Sequence, residues 1–348
     1  MKLYIKIFLL IIIATLIYML FPREVDRLIY IPSSKDKNIE DAIIYQNIPL
    51  NKLDLFVLSF KDRNESWIRL KNGKTNKWIL YNKILHPKKI KTRKMVVYGG
   101  EILENFTKNI ANQAKLNRDK LLKIYRELAY YKEGDILAKK YDIPYNTTEQ
   151  STIAYMLYKS RKIYSKIAQN NSIKFPSPKF KKRLIIASII EKETQNYKEM
   201  PLISAVIYNR LKKNMPLQLD ATLNYAKNSH KIVTPQMIKT NNSLYNTYKH
   251  KGLPPQPICS PSIVALKAAF NPANVNYIYF VKSGRKHIFT KEYKKHLQNV
   301  SKYKQALKIK KAREERLIRL INKPIKVKFP TIKPKINIPL PQVGYNFN

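Results

Sequence analysis

The run "LYIKIFLLIIIATLIYMLF", from Leu3 to Phe21, constrains this chain more than any other stretch. Fifteen consecutive uncharged residues, Ile7 to Phe21, can just cross a bilayer core of roughly 30 Å as a helix once Lys2 and Lys6 reach back to the headgroups. A secretory signal has the same apolar character, but the residues that follow, "PREVDRLIY", carry no small-x-small cleavage pattern. The expectation is therefore an uncleaved single-pass anchor covering residues 1–22. Lys2 and Lys6 favour a cytoplasmic N-terminus and Arg23 and Arg27 vote the other way. With the N-terminus inside, the bulk of the chain lies on the extracytoplasmic side of the cytoplasmic (inner) membrane.

At 348 residues, 44% of them hydrophobic, the chain is long enough for about two packed domains of roughly 150 residues each. Seven glycines and one cysteine exclude a glycine-rich phosphate cradle, a paired-cysteine zinc framework and a disulfide scaffold. Cys259 reads as a small apolar filler. Five histidines without an H-E-x-x-H pair give no reason to expect a metal, and no other cofactor is expected. No serine nucleophile elbow is present. The 67 basic residues against 23 acidic ones leave a formal charge of +44. A field of that sign draws nucleic acid, anionic headgroups or acidic polymers. The joint abundance of Lys, Asn, Ile and Tyr offers a second origin, a composition biased throughout. Without an arginine-rich helix, finger or ribonucleoprotein motif, a nucleic-acid partner is not expected.

Behind the apolar run the periodicity predicts an α+β chain. Residues 23–98 read as a small α+β unit: a strand at "RLIYIPSS", a helix and an apolar segment after it, and strand-like runs at "KWILYN" and "KMVVYGGE". Gly99-Gly100, the only glycine pair, marks a turn at its end. Residues 99–303 form a larger mixed domain, opening with helical spacing at "ENFTKNIANQAKLNRDKLLKIYREL" and "STIAYMLYKSRKIYSKIA". After "FPSPKF" come helices at Leu184 onward, "ISAVIYNRLKK" and "IVALKAAF", a strand "NYIYFV" and a long C-terminal helix. Residues 304–348 continue that helix into a tail which, from Asn322, holds five lysines, five prolines and no acidic residue. Such a tail is expected to be extended and to contact polyanions or the envelope.

The chemistry concentrates in "LIIASIIEKETQNYKEMP", beginning at Leu184. Helical residues three, four and seven apart share a face, so Glu193 continues a row of Ile190, Ile189 and Ile186, whereas Glu191 follows Ser188, Ala187 and Leu184. The two carboxyls lie roughly 200° apart around the axis and cannot both point into a core. Glu193 at the end of an apolar row would be desolvated and its pKa raised, as a general acid near neutral pH requires. The competing reading is a glutamate at a helix end that merely reaches solvent.

The segments "LIIASIIEKETQNYKEMPLISAVIYNRLKKNMPLQLDATLNYA", "SLYNTYKHKGLPPQPI", "NPANVNYIYFV" and "KHIFTKEYKKH", in that order over about 120 residues, resemble the successive signatures of the endolytic murein transglycosylase (YceG-like) family. The resemblance implies an N-terminal transmembrane helix, a LysM-like subdomain at 23–98 and a catalytic domain at 99–303 with a helix-borne catalytic glutamate. That glutamate falls on Glu193, and Glu191 occupies a position expected to tolerate change. Gln218, Asp220 and Thr222 match the family's L-Q-x-D stretch and the threonine after it, and Tyr245, Asn246, Thr247 and Tyr248 its Y-N-T-Y. All seven are candidates for lining a sugar groove. Gln218 and Asn246 can both donate and accept toward acetamido and hydroxyl groups, and Tyr245 and Tyr248 can offer a face to a sugar or pack beneath the loop. Asp220 reads either as a second catalytic carboxylate or as a loop-fixing acceptor. His287 matches an H-x-F element and is expected to order a strand edge. The chain departs from the pattern at Ala221, where proline is usual, at Gln256, where glycine is common, and at "EGDILAKKY", which keeps Glu133, Gly134 and Tyr141 but lacks the family's proline and aspartate.

What the resemblance implies in function is cleavage of the MurNAc–GlcNAc bond within nascent peptidoglycan strands, leaving 1,6-anhydro-MurNAc ends and terminating elongation, near synthases of the penicillin-binding class. Two alternatives stand beside it: a water-using muramidase with Glu193 and Asp220 as its pair, and a non-catalytic, membrane-tethered binder of acidic envelope polymers.

Overall fold

A computed structural model describes residues 2–36, 39–71, 73–226, 233–284 and 286–322, the side chain of Leu320 excepted. The basic tail from Lys323 lies outside the described residues. The leading apolar run is helix α1 (Lys2–Leu20), none of whose residues is buried. It is long and apolar enough to cross a membrane, a property that a signal sequence shares.

Next come β1 (Arg23–Glu24), β2 (Leu28–Ile31), α2 (Ile39–Tyr45), α3 (Lys52–Ser59), β3 (Ser66–Arg69), β4 (Lys74–Thr75), α4 (Lys77–Leu85) and β5 (Thr92–Val96). Strand β1 pairs antiparallel with β4, and β2 with β3, placing Tyr30 opposite Trp67. The strand expected at "KWILYN" is instead α4. Asn76 caps it by accepting the Ile79 N–H, and Lys77, Leu80 and Ile84 are buried at intervals of three and four, a helical and not an alternating pattern. Buried Lys77 is neutralised by Asp54 of α3, which also accepts a hydrogen bond from Tyr81.

The remaining elements are α5 (Leu103–Ala114), α6 (Arg118–Leu128), β6 (Lys140–Pro144), α7 (Glu149–Asn170), α8 (Pro178–Glu193), α9 (Met200–Lys212), α10 (Asp220–Leu223), α11 (Pro235–Thr240), α12 (Ile263–Phe270), β7 (Tyr279–Ser283), β8 (Lys286–Thr290) and α13 (Tyr293–Ile321). Residues up to Leu297 form one compact unit, and the rest of α13, from Gln298, belongs to a second. The fold is mixed, with helices predominating and, among the described residues, named strands that pair antiparallel two by two.

Packing runs without a break past Gly99. Strand β5 pairs with β6, which sets Met95 opposite Tyr141, and the apolar cluster around Phe106, Tyr125 and Tyr155 also takes in Tyr30 and Trp67. A second cluster is built on α8, with Phe180, Leu184, Ile186 and Ile190 against Ile203 of α9 and Leu266 of α12. Each fully buried aliphatic side chain there contributes about 1.5–3 kcal/mol. This core carries the segment with the candidate acid.

Candidate active site

Ser177 starts α8 by accepting the Phe180 N–H, Pro178 occupies its first turn, and the helix ends at Glu193 with extended Thr194 as its cap. Leu184 to Ile190 are all buried. The contrast expected between the two faces is therefore absent from the body of the helix: Leu184, Ala187 and Ser188 are as enclosed as Ile186, Ile189 and Ile190. A helix apolar on every side is a core helix and not an amphipathic one. The last turn is what separates the glutamates.

Glu193 is partly buried as a residue, but its Oε1 is sealed from solvent and has no hydrogen-bond partner among the described residues. Loss of hydration, reinforced by the negative charge of Asp220 and only partly offset by a hydrogen bond from the Ala221 N–H, pushes the carboxyl up to about 7. An acid in that range can both give and take a proton near neutral pH.

Glu191 sits in different company. Its Oε2 accepts the Ser262 N–H at 2.9 Å, at the start of α12. Its Oε1 presses so closely on Gly99 that a Cβ there would stand 1.9 Å away. Lys192 donates to the Gly100 carbonyl at 3.2 Å. The glycine pair is thus the docking point for the end of α8, and Glu191 is committed to it, contrary to the expectation of a position open to change.

Two loops close over this helix end. Thr247 Oγ1 accepts the Leu219 N–H at 3.0 Å and pairs with Thr222 Oγ1 at 2.8 Å. The Gln218 N–H donates to the Thr247 carbonyl at 3.0 Å. Asn246 is fully buried, its amide donating to the Ile238 and Asn241 carbonyls at 2.9 and 2.7 Å while its Oδ1 accepts the Tyr248 N–H at 3.2 Å. Thr222, Asn246 and Thr247 therefore stand beneath the surface with their polar groups engaged inside the protein. They position the loops, and the expectation that they line a groove gives way to that.

Gln218, Asp220, Tyr245 and Tyr248 remain accessible in whole or part. Gln218 is held at φ +50°, a left-handed conformation uncommon for a side chain of this size. The Tyr248 hydroxyl donates to Asp220 Oδ1 at the first residue of α10. Tyr245 lies against Tyr225, ring centroids 4.6 Å apart.

Sequence reasoning missed Glu199. Its Oε2 accepts from His287 Nδ1 at 2.8 Å and from Thr194 Oγ1 at 3.2 Å, and its Oε1 accepts the His287 N–H at 3.0 Å. Burial alone would raise this carboxyl, but the hydrogen bonds and charge of His287 hold it below the usual range. The pair ties strand β8 to the cap of α8. His287, expected to order a strand edge, does so through a partner 88 residues away that no local pattern reveals. The cavity left between these elements measures about 820 Å³ and is lined by Gly99, Glu191, Glu193, Thr194, Lys282 and His287 among others. A carboxyl pushed up to about 7, at the wall of a polar cavity of this size, has the chemistry for proton transfer to a bulky polar molecule.

Comparison with known proteins places these residues in a wider set. Residues 54–302 match the model of the YceG-like family. The chain is 42% identical over 123 residues to the endolytic murein transglycosylase of Bacillus subtilis, covering 35% of this chain and 34% of that protein. It is 35% identical over 157 residues to the endolytic murein transglycosylase of Streptococcus pneumoniae, covering 44% of this chain and 28% of that one. The matched segments span about a third of the length of these relatives. A crystal structure of a YceG-like protein from Listeria monocytogenes superposes with a TM-score of 0.51 and 23% identity, covering 80% of this chain and 98% of that chain, a likeness of fold.

Proposed function

This chain belongs to the YceG-like family, and we propose on that premise that it is an endolytic peptidoglycan lytic transglycosylase tethered to the cytoplasmic membrane by α1, with its catalytic domain on the extracytoplasmic side. The observation that carries the proposal is Glu193, whose carboxyl, with one oxygen sealed, is pushed up to about 7 at the wall of a polar cavity. The names borne by the Bacillus and Streptococcus relatives support the substrate class.

In this reading Glu193 gives its proton to the glycosidic oxygen between MurNAc and GlcNAc as the bond to C1 breaks. The resulting carboxylate then takes the proton of the same muramyl C6 hydroxyl, whose oxygen attacks C1 and closes a 1,6-anhydro ring. Glu193 ends protonated and no water is consumed. The nucleophile belongs to the substrate, so a second catalytic carboxylate is unnecessary, and intramolecular attack supplies a large proximity advantage. Asp220 acts on Glu193 through its charge, keeping the proton on the acid, while Tyr248 fixes Asp220. Gln218, Tyr245 and Tyr248 are the accessible polar and aromatic groups for the sugars; Thr222, Asn246 and Thr247 hold the loops that carry them. Cutting within new strands would end their elongation beside synthases of the penicillin-binding class.

Digestion of purified sacculi followed by mass analysis tests this. Products one water lighter than reducing-end muropeptides are expected. Reducing ends alone would instead favour a hydrolase using Glu193 and Asp220 as its pair.

A further inference from the structure

Helix α3 is apolar on two sides. Leu55 and Leu58 pack into the cluster around Ile29 and Leu80, with Asp54 buried beside them. Leu53, Phe56, Val57 and Phe60, at intervals of three, four and seven, form a stripe on the other side of the helix and its cap. That stripe is open: Leu53, Phe56 and Phe60 are 66, 60 and 77% exposed, and the rings of Phe56 and Phe60 meet edge to face 4.9 Å apart. On α4 Trp78, 61% exposed, and Ile79 are open as well. Single exposed apolar residues are ordinary, whereas six on two helices joined by the Asp54–Lys77 ion pair call for something to cover them.

Both helices start at the end of α1. Tyr18, in the last turn of α1, accepts a hydrogen bond at 2.9 Å from the side chain of Asn51, the cap of α3, and another from Lys77, the first residue of α4. The Lys77 ammonium also stands 3.9 Å from the centre of the Tyr18 ring. Leu53, Trp78 and Ile79 follow these contacts within a single turn. If α1 spans a bilayer, this face begins where hydrocarbon gives way to headgroups, the depth that tryptophan and other amphipathic rings favour.

Charge supplies an independent argument. Between Ser66 and Gly100 stand ten lysines and arginines and no acidic residue. Six of them, Arg69, Lys71, Lys83, Lys88, Lys89 and Lys91, line a groove of about 890 Å³ formed by β3, the end of α4 and the segment after it. Among the described residues no acidic side chain lines that groove. The side of α4 that bears Ile79 continues through Asn82 and Lys83 to His86, all three in the wall of the groove. Seven residues of helix rise about 10 Å, which keeps the groove within about one Debye length of the headgroup charges. A neutral saccharide or a lone phosphate would leave the stripe bare, whereas an anionic bilayer surface meets both features at once.

We propose that the face made by Leu53, Phe56, Val57, Phe60, Trp78 and Ile79 docks into the interface of the membrane that α1 crosses, while the lysines of the groove meet the phosphates of its anionic lipids. The proposal rests on α1 as the anchor. Because the chain up to Leu297 forms one compact unit, a second membrane contact holds the part that carries Glu193 in a fixed orientation on the bilayer and not on a free tether.

The test reconstitutes the full-length chain in vesicles of phosphatidylcholine brominated in its acyl chains, with and without phosphatidylglycerol, and reads tryptophan emission. Trp78 reports on the start of α4, and Phe60→Trp combined with Trp78→Phe reports on the far end of α3. Trp78→Phe alone gives the background from buried Trp67. Both substituted positions are exposed, so all variants should fold. In vesicles containing phosphatidylglycerol both reporters are expected to lose most of their emission to bromine. Lys88→Gln and Lys89→Gln should each lower the ratio of docked to undocked chains by about fivefold. Reporters unquenched in both mixtures, while the chain still floats with the vesicles, would overturn the docking and leave the anchor. A chain that does not float would remove the anchor and the proposal with it. Equal quenching in the two mixtures also overturns the proposal, as does emission that ignores lipid but shifts with protein concentration, which would give the face to a second copy of the chain.

Discussion

The Tyr248 hydroxyl donates a hydrogen bond to Asp220, and the charge of Asp220 so held is felt by Glu193. The acid is thus tuned by a residue that need not touch the reacting atoms. Asp220→Asn removes that charge and lowers the Glu193 pKa, so the alkaline limb of the cleavage rate, expected near pH 7, should move toward lower pH while substantial activity remains below it. A rate lost equally at every pH would make Asp220 a catalytic partner and contradict this assignment.

Ala221 offers the opposite adjustment. Its N–H reaches the Glu193 carboxyl and favours the ionised form. Proline has no N–H, and this chain already tolerates Pro201 in the first turn of α9. Ala221→Pro should raise the Glu193 pKa and carry the alkaline limb to higher pH. A limb that stays in place would show the N–H to be immaterial.

Stability should record the same group. Between the ordinary carboxyl value of 4.5 and about 7, folded Glu193 keeps a proton that the unfolded chain has released. Folding stability therefore declines as pH rises through that window and levels off above it. Glu193→Gln removes this group's share of the decline, so its melting temperature should exceed the wild type's at pH 8 by more than at pH 5. Equal differences at the two pH values would mean that the carboxyl is not raised in the folded protein.

Two positions test the frame around the acid. Gly99→Ala drives a Cβ into Glu191 Oε1 and should detach that carboxylate from the Ser262 N–H, lowering activity with no shift of the pH limb. Thr247→Val leaves the Leu219 N–H without its acceptor, while the Thr222 hydroxyl keeps the Leu219 carbonyl, and should cost about 1–3 kcal/mol in denaturant unfolding. Neutral behaviour in either would show that the loops are held by other contacts.

Local pattern carried much of this structure and failed at identifiable places. The apolar run became α1, and the helices from Leu184, "ISAVIYNRLKK" and "IVALKAAF" form where their spacing predicts. "KWILYN" became α4 because the Asn76 cap and burial of Lys77, Leu80 and Ile84 outweigh the strand-like composition. The two-face argument for Glu193 also fell short, since packing by α9 and α12 buries α8 all round. What sets Glu193 apart is instead its sealed Oε1 and the charge of the nearby Asp220. Long-range pairings were invisible: Glu191 with Ser262, Glu199 with His287, and Thr222 with Thr247 lie 71, 88 and 25 residues apart. Motif residues could be read as a group, but which of them face solvent depends on such pairings.

The most direct measurement compares strand cleavage by the wild-type chain and its Glu193→Gln variant at pH 6, with glycan binding followed in parallel. The account predicts that the amide abolishes anhydro-ended products while binding persists. Cleavage at the wild-type rate by the variant would contradict it.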